Sequence, residues 1–383
     1  MTLNQLGGDL IGVGSYGCVF NPALRCQGEK GTRDKGKVSK LFFSDDGLQE
    51  VNQEFRINNL LKKAPNYLDW AEVWYKKCKP PSYTQLRKQD KSIEDCLDNN
   101  NIDISDFNKH RQMLQGNYGG NTLGEYMVTH FTKKVLHTHK LFTKEFLTLM
   151  KLLKPLFVGL KDMYKYKISH NDIKDDNVLI TASGCKFIDF GLACEFSDRT
   201  FYEKRSKLEF ASDRIYPSYP YEFIYLYTTA KVLRENDENY LQRNVYRHLH
   251  DRYEKIHALF GRNADSYVKA LVKRFIKDGD TIRAKEESTI KSSLNTYSLG
   301  ILIPYILYKL ATEYGSYIQL KKVVTLRIVK SFMDLFKHMT EPDNVNRMNP
   351  DDSYDKYMEL YTLYLIQGSN KKSRKRTNRR VRQ

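Results

Sequence analysis

The stretch His170-Asn171-Asp172-Ile173-Lys174-Asp175-Asp176-Asn177 gathers carboxylates, an ammonium and a carboxamide, and Lys186-Phe187-Ile188-Asp189-Phe190-Gly191 follows it closely. Those groups suit phosphoryl transfer, in which one carboxylate orients an attacking hydroxyl and takes its proton while oxygen ligands hold a cation against phosphates. Asp172 fits the first task, and Asn177 and Asp189 fit the second. Lys174 can stabilise the charge on the group in transit. Near the N-terminus, Gly12-x-Gly14-x-x-Gly17-x-Val19 lies between two strand-like segments. A dinucleotide fingerprint would lead its glycines into a helix; in a hairpin they let backbone N–H groups approach phosphates with no side chain between. Alone, the pattern equally describes an ordinary glycine-rich turn.

The elements that must position these groups can be read from periodicity and punctuation. Residues 9–20 read as strand, tight turn, strand, and Lys37 to Phe43 as another short strand. From Asp45 the spacing of Leu48, Val51, Phe55, Ile57, Leu60 and Leu61 predicts a helix that ends before Pro65. Residues 76–110 are polar, carry Pro80 and Pro81 and the run Asn99-Asn100-Asn101, and read as an insertion or long loop. Strand character resumes at Gln112 to Leu114, before the turn formers Asn117-Tyr118-Gly119-Gly120-Asn121. Helices dominate thereafter. Thr143 to Tyr166 reads as one long amphipathic helix, Val178–Ile180 and Lys186–Ile188 as short strands around Ser183-Gly184, residues 223–293 as mostly helical and highly charged, and 297–311 and 322–340 as apolar helices.

These motifs together resemble the eukaryotic-type Ser/Thr protein kinases over about Leu10 to Arg347. The divergent motifs, the helical insertion and the short Val38-Ser39-Lys40 strand resemble the kinases of large cytoplasmic DNA viruses. The resemblance implies an α+β, bilobal fold: a small β-rich N-lobe over 1–120 with an insertion near 76–110, and a large helical C-lobe over 121–368 with an extra helical insertion near 223–293. Residues 369–383 would follow as a basic disordered tail. It implies ATP and Mg²⁺ as cofactors and proteins as substrates. Asp172 and Lys174 would be catalytic, and Asn177 and Asp189 would hold the metal. Ile11, Gly12, Gly14, Gly17, Val19, Val38 and Leu179 would surround the nucleotide, with Leu114 as gatekeeper and Gln115 and Asn117 as hinge contacts.

Lys40 would contact the phosphates and pair with a glutamate of the following helix. Glu50 and Glu54 are four residues apart and share a helix face. Glu54 is the expected partner, because Glu50 leaves little room after Lys40 for a turn and a helix start. Lys174, two residues after Asp172, resembles the Ser/Thr class. Tyr219-Pro220-Tyr221-Glu222 resembles Ala-Pro-Glu, and Asn295-Thr296-Tyr297-Ser298-Leu299-Gly300 resembles Asp-x-Trp-Ser-x-Gly, with Arg347 expected to pair with Glu222.

Two positions depart from the family. Asn171 replaces the arginine that binds an activation-loop phosphate, so switching through that ion pair is not expected, although Ser197, Thr200, Tyr202, Ser206 and Ser212 lie downstream. Asn295 replaces an aspartate that accepts hydrogen bonds from the catalytic loop; its amide oxygen can still accept, without the strength of a charge. The competing readings are a pseudokinase scaffold, a small-molecule kinase and a nucleic-acid-binding protein.

The chain of 383 residues is globular in composition, with 40% hydrophobic residues, yet carries a net charge of +17. Eight of those positive charges lie between Lys371 and Arg382 with no acid among them. Such a tail can bind nucleic acid, an anionic surface or an import receptor, or stay a solvated terminus. Cys18, Cys26, Cys78, Cys96, Cys185 and Cys194 lack the close paired spacing of zinc or redox motifs and read as reduced thiols in a cytosolic-type compartment. That implies host cytoplasm, or the virion if viral, with nuclear targeting through the tail as a further route. No secretory signal is visible, and the apolar stretch Tyr297 to Ala311 is too short to span a membrane.

Overall fold

Short segments carrying apolar residues and bounded by turn formers make one antiparallel sheet near the N-terminus: β1 (Asp9–Gly14), β2 (Gly17–Asn21), β3 (Lys37–Phe42), β4 (Lys76–Cys78) and β5 (Gln112–Asn117), in the order β1-β2-β3-β5-β4. The structure is a computed structural model that describes residues 9–14, 17–211, 218, 254–341, 344 and 346–366. The chain divides into two compact units, Met1–Gly120 with Ile188–Ala193, and Asn121–Phe187 with Cys194–Gln383. The first is sheet-rich and the second helical, an α+β protein.

In the first unit, α1 (Asp45–Leu61) starts two residues after β3, because Ser44 caps it by accepting from the Gly47 N–H at 3.1 Å. Phe42 and Leu114 on one face of the sheet pack with Val51, Phe55 and Trp74. The other face carries Cys18, Leu41 and Met113. Against these pack residues of the stretch expected to be a loop. Beyond β4 it contains α2 (Tyr83–Gln89), α3 (Ile93–Asn99) and α4 (Ile104–His110), whose Leu86, Ile93, Leu97 and Phe107 are buried in the same core. Each helix is too short to hold its shape alone, so tertiary burial rather than periodicity over a long window defines it.

The cysteine reading is corrected by the same packing. Cys18 of β2 is bonded to Cys96 of α3, and Cys26 to Cys78 of β4, with Cα–Cα separations of 6.1 and 5.9 Å. The partners are 78 and 52 residues apart in sequence. Nothing in local spacing announces such pairs; the fold brings them into bonding distance. Cys185 and Cys194 are free and buried.

In the second unit, β6 (Asn121–Thr122), β8 (Val178–Thr181) and β9 (Gly184–Phe187) form a small sheet, and β7 (Ile168–Ser169) pairs with β10 (Cys194–Glu195). Helices α5 (Leu123–His130) and α6 (Lys133–Leu136) precede α7 (His139–Leu152) and α8 (Lys154–Lys165). The last two were expected as one helix. Pro155 divides them: it lacks an N–H and its ring collides with a helical carbonyl one turn back, whereas it fits the first turn of a new helix. Then come α9 (Arg199–Ala211), α10 (Ala264–Glu313), α11 (Tyr317–Val323), α12 (Arg327–Met339) and α13 (Pro350–Leu360). Residues 297–311 are therefore the end of a 50-residue helix. The helix expected over 322–340 is split after the β-branched Val323 and Val324, where the Thr325 hydroxyl donates to the Lys322 carbonyl at 2.7 Å. No helix among the described residues is long and apolar enough to cross a membrane. Glu222, all of 223–253 and the tail 369–383 lie outside the described residues.

Candidate active site

Register decides which side chains of the first unit share a face, since directly paired residues point the same way. Val19 pairs with Lys40, Lys40 with Leu114, Val38 with Gly116, and Gly12 with Val19. Gly12, Val19, Val38, Lys40 and Leu114 are thus on one face. Ile11 lies at the irregularity between Leu10 and Gly12 and is half exposed. A Cβ on Gly12 would lie 3.8 Å from the Val19 Cβ, and one on Gly14 would lie 3.5 Å from the Gly17 carbonyl, both ordinary contacts. At Gly17 it would fall 2.2 Å from the Leu41 carbonyl. Gly17 is therefore demanded by the sheet itself, while Gly12 and Gly14 leave bare backbone without a packing need.

Gln115 and Asn117 have the opposite parity. The Gln115 amide donates to the Leu24 carbonyl at 2.8 Å, beside Ser39, whose hydroxyl accepts from the Leu24 N–H at 2.9 Å. Its backbone carbonyl accepts from Tyr75 at 3.1 Å. The Gln115 side chain therefore fastens a loop to the sheet and points away from the Lys40 face. The Asn117 side chain donates to Glu72 at 3.0 Å. Gly116, between them, faces the Lys40 side without a side chain, and the Trp74 ring would meet a Cβ there at 2.8 Å.

Lys40 Nζ donates to Glu50 Oε1 at 2.6 Å and to Asp189 Oδ1 at 3.0 Å. The expected partner was Glu54, and this is corrected: with α1 capped at Ser44, Glu50 already lies in the second turn, level with Lys40. Glu54 is 1% exposed and accepts the Trp74 indole N–H at 2.6 Å, while its Oε2 has no hydrogen-bond partner. Burial would depress the Lys40 ammonium, but the carboxylates of Asp189, Glu54 and Glu50 outweigh it and hold the group above the usual lysine range. Burial pushes Glu54 up to about 8 against the pull of Lys40, with Asp189 and Glu50 adding to the rise. Asp189 is held at φ 60°, and Gly191 two residues on comes so close to α1 that a Cβ would lie 2.6 Å from the Glu50 side chain.

In the second unit, the turn Asp175–Asn177 folds the loop back on itself. Asn177 Nδ2 donates to Asp172 Oδ2 at 2.7 Å and to the Asp172 carbonyl at 2.9 Å, and Lys174 Nζ donates to Asp172 Oδ2 at 3.1 Å. Asp172, Lys174 and Asn177 are thereby one hydrogen-bonded group. With its nitrogen engaged, Asn177 keeps its side-chain oxygen as a hard donor of the kind Mg²⁺ favours. Leu179, 8% exposed, lies on β8 between Thr122 and Lys186.

The loop 170–177 is braced from α10. Asn295 Oδ1 accepts the His170 N–H at 2.8 Å, as the sequence suggested, and its Nδ2 also donates to the Ile168 carbonyl at 3.1 Å. An ionised aspartate could not make the second bond. Asn171 adopts φ 62°, a left-handed conformation that asparagine tolerates, and its side chain accepts from the Ser169 hydroxyl at 2.5 Å and donates to Cys194 Sγ at 3.2 Å. Arg347 donates to the Glu341 carbonyl at 2.8 Å and to the Ser293 hydroxyl at 3.1 Å; its expected partner Glu222 is outside the described residues. Sequence reading missed Trp74 and Lys291, which no motif marks. It ranked Glu50 second although Ser44-Asp45-Asp46, an N-cap with acids in the first turn, signalled the early helix start.

A family model described as protein kinase domain matches residues 7–218, more than half of the 383 residues. Among curated proteins, "Cyclin-dependent kinase 11.2" of Caenorhabditis elegans is 45% identical over 58 residues, covering 15% of this chain and 9% of that protein. The likeness thus spans under a tenth of the relative's own length.

Proposed function

The chain belongs to the protein kinase domain family, and from that premise we propose that it transfers the γ-phosphoryl group of ATP to Ser/Thr hydroxyls of protein substrates. The observation that carries this reading is the convergence of Lys174 and Asn177 on Asp172 Oδ2, at 3.1 and 2.7 Å. Two donors on one oxygen hold the carboxylate in a fixed orientation, as a base that must meet a hydroxyl requires. Asp172 takes the hydroxyl proton as that oxygen bonds to the γ-phosphorus and the bond to the departing ADP breaks. Lys174 offsets negative charge on the group in transit. Lys40, oriented by Glu50, positions the nucleotide phosphates, and bare backbone at Gly12 and Gly14 lets N–H groups approach them. Asn177 and Asp189 would be the residues to hold Mg²⁺, which would supply charge neutralisation at the phosphates.

Ser/Thr specificity rests on Lys174. The same reading extends to kinship with the kinases of large cytoplasmic DNA viruses; the two disulfides remove the reduced-thiol ground for a cytoplasmic place of action. The test is phosphate incorporation from ATP and Mg²⁺ into basic and acidic protein substrates, by wild type and Asp172→Asn. A fall of roughly 10²–10⁴-fold is expected from loss of a positioned base. Equal incorporation by both would sink the mechanism, predominant phosphotyrosine the substrate class. Absence of turnover in wild type would leave the pseudokinase scaffold.

A further inference from the structure

The segment after Asp-Phe-Gly is fixed within the second unit by groups already present in the chain. β10 pairs with β7 through Cys194↔Ser169 and Glu195↔Ile168. The Phe196 N–H donates to the Lys167 carbonyl at 2.8 Å. Cys194 Sγ accepts from Asn171 Nδ2 at 3.2 Å, and burial pushes that thiol up to about 12. Tyr202 is fully buried in α9.

Lys291 reaches into this cluster from α10. It is 4% exposed, its Nζ donates to the Phe196 carbonyl at 2.7 Å, and the same ammonium lies 4.6 Å from the centre of the Tyr202 ring. A buried ammonium against a carbonyl dipole and an aromatic face is a strong local attachment. One helical turn further on, Asn295 holds His170 and Ile168. A single face of α10 therefore grips the catalytic loop through Asn295 and the segment 196–202 through Lys291.

We propose that Lys291, with Asn171, is a positioning residue that holds the segment from Cys194 to Tyr202 in its working place without any phosphoryl group on it. This rests on the kinase reading. Tyr202, with its ring beneath Lys291, is unavailable for modification in the folded protein, whereas Ser197 and Thr200 are exposed and serve no contact of the cluster.

The test uses the full chain treated with phosphatase, and the variants Lys291→Met, Lys291→Arg and the double variant Ser197→Ala/Thr200→Ala. Expected results are full activity for dephosphorylated wild type and for the double variant. Lys291→Met should lower kcat roughly tenfold, the scale of one charge-assisted hydrogen bond, with the KM for ATP little changed and Lys291→Arg recovering most of the loss. Hydrogen exchange at 194–202 should quicken in Lys291→Met and not in Lys291→Arg. Loss of activity on dephosphorylation, or unchanged exchange in Lys291→Met, overturns the proposal. If no preparation turns over, the kinase reading fails while the exchange comparison still decides whether Lys291 anchors the segment.

Discussion

Two glutamates one helical turn apart compete for the charge of Lys40, and their surroundings give them different work. Glu50 keeps the direct ion pair at 2.6 Å, while buried Glu54 holds Trp74 and is raised to about 8. Because the folded value exceeds the ordinary carboxylate value of 4.5, the folded protein binds more protons than the unfolded chain between those two pH values. This contribution is complete below the lower value and is lost as pH rises through about 8. Urea midpoints measured across that window should therefore fall with pH in wild type, and the fall should flatten in Glu54→Gln; parallel curves would refute the assignment. Glu50→Gln, by contrast, should lower phosphorylation while leaving that pH dependence in place. At this scale the chain alone revealed Asp172, Lys174, Asn177, Asp189 and Lys40 as a set, because their types and spacing are themselves the signal. The choice between Glu50 and Glu54 was misranked: Ser44-Asp45-Asp46 marks the helix start, Phe43 and Ser44 alone separate it from the strand, and this places Glu50 level with Lys40.

At the scale of elements, the cover formed by α2, α3 and α4 is tied to the sheet by the Cys18–Cys96 and Cys26–Cys78 bonds. The first bond is adjacent to Gly17, so the glycine-rich hairpin is itself anchored to α3. Closing loops of this length removes unfolded-state entropy worth about 4 kcal/mol each, and the two loops are nested, so the effects should not add fully. Peptide mapping without reductant should recover both cross-links, and reductant should lower the unfolding midpoint of wild type far more than that of Cys96→Ala/Cys78→Ala. Recovery of six free thiols from the native protein would refute this. The strands β2, β3 and β5 were legible from short apolar segments bounded by turn residues, and helix α1 from apolar spacing. The short helices were not, since seven residues give too little periodicity and their order comes from packing on Leu41 and Met113.

Over the whole molecule the charge is uneven, and much of the +17 lies beyond residue 370. Eight added cations should raise the salt slope of duplex DNA binding by up to about 7. Deleting 371–383 should remove most of that slope and leave peptide phosphorylation unaltered. Binding with an undiminished slope would assign the polyanion contact to the folded units instead.

What the sequence determined by itself is the class: the motifs of a protein kinase domain in chain order, an α+β fold and a strongly basic end. These follow from local spacing, hydropathy period and composition, which are properties of neighbours along the chain. Tertiary structure decided which glutamate meets Lys40, that Gln115 faces away from it, which cysteines are joined, and that Lys291 reaches Phe196 from 95 residues away. Each of those depends on strand register or on the docking of distant segments, where one residue of shift reverses a face and no local pattern records the partner.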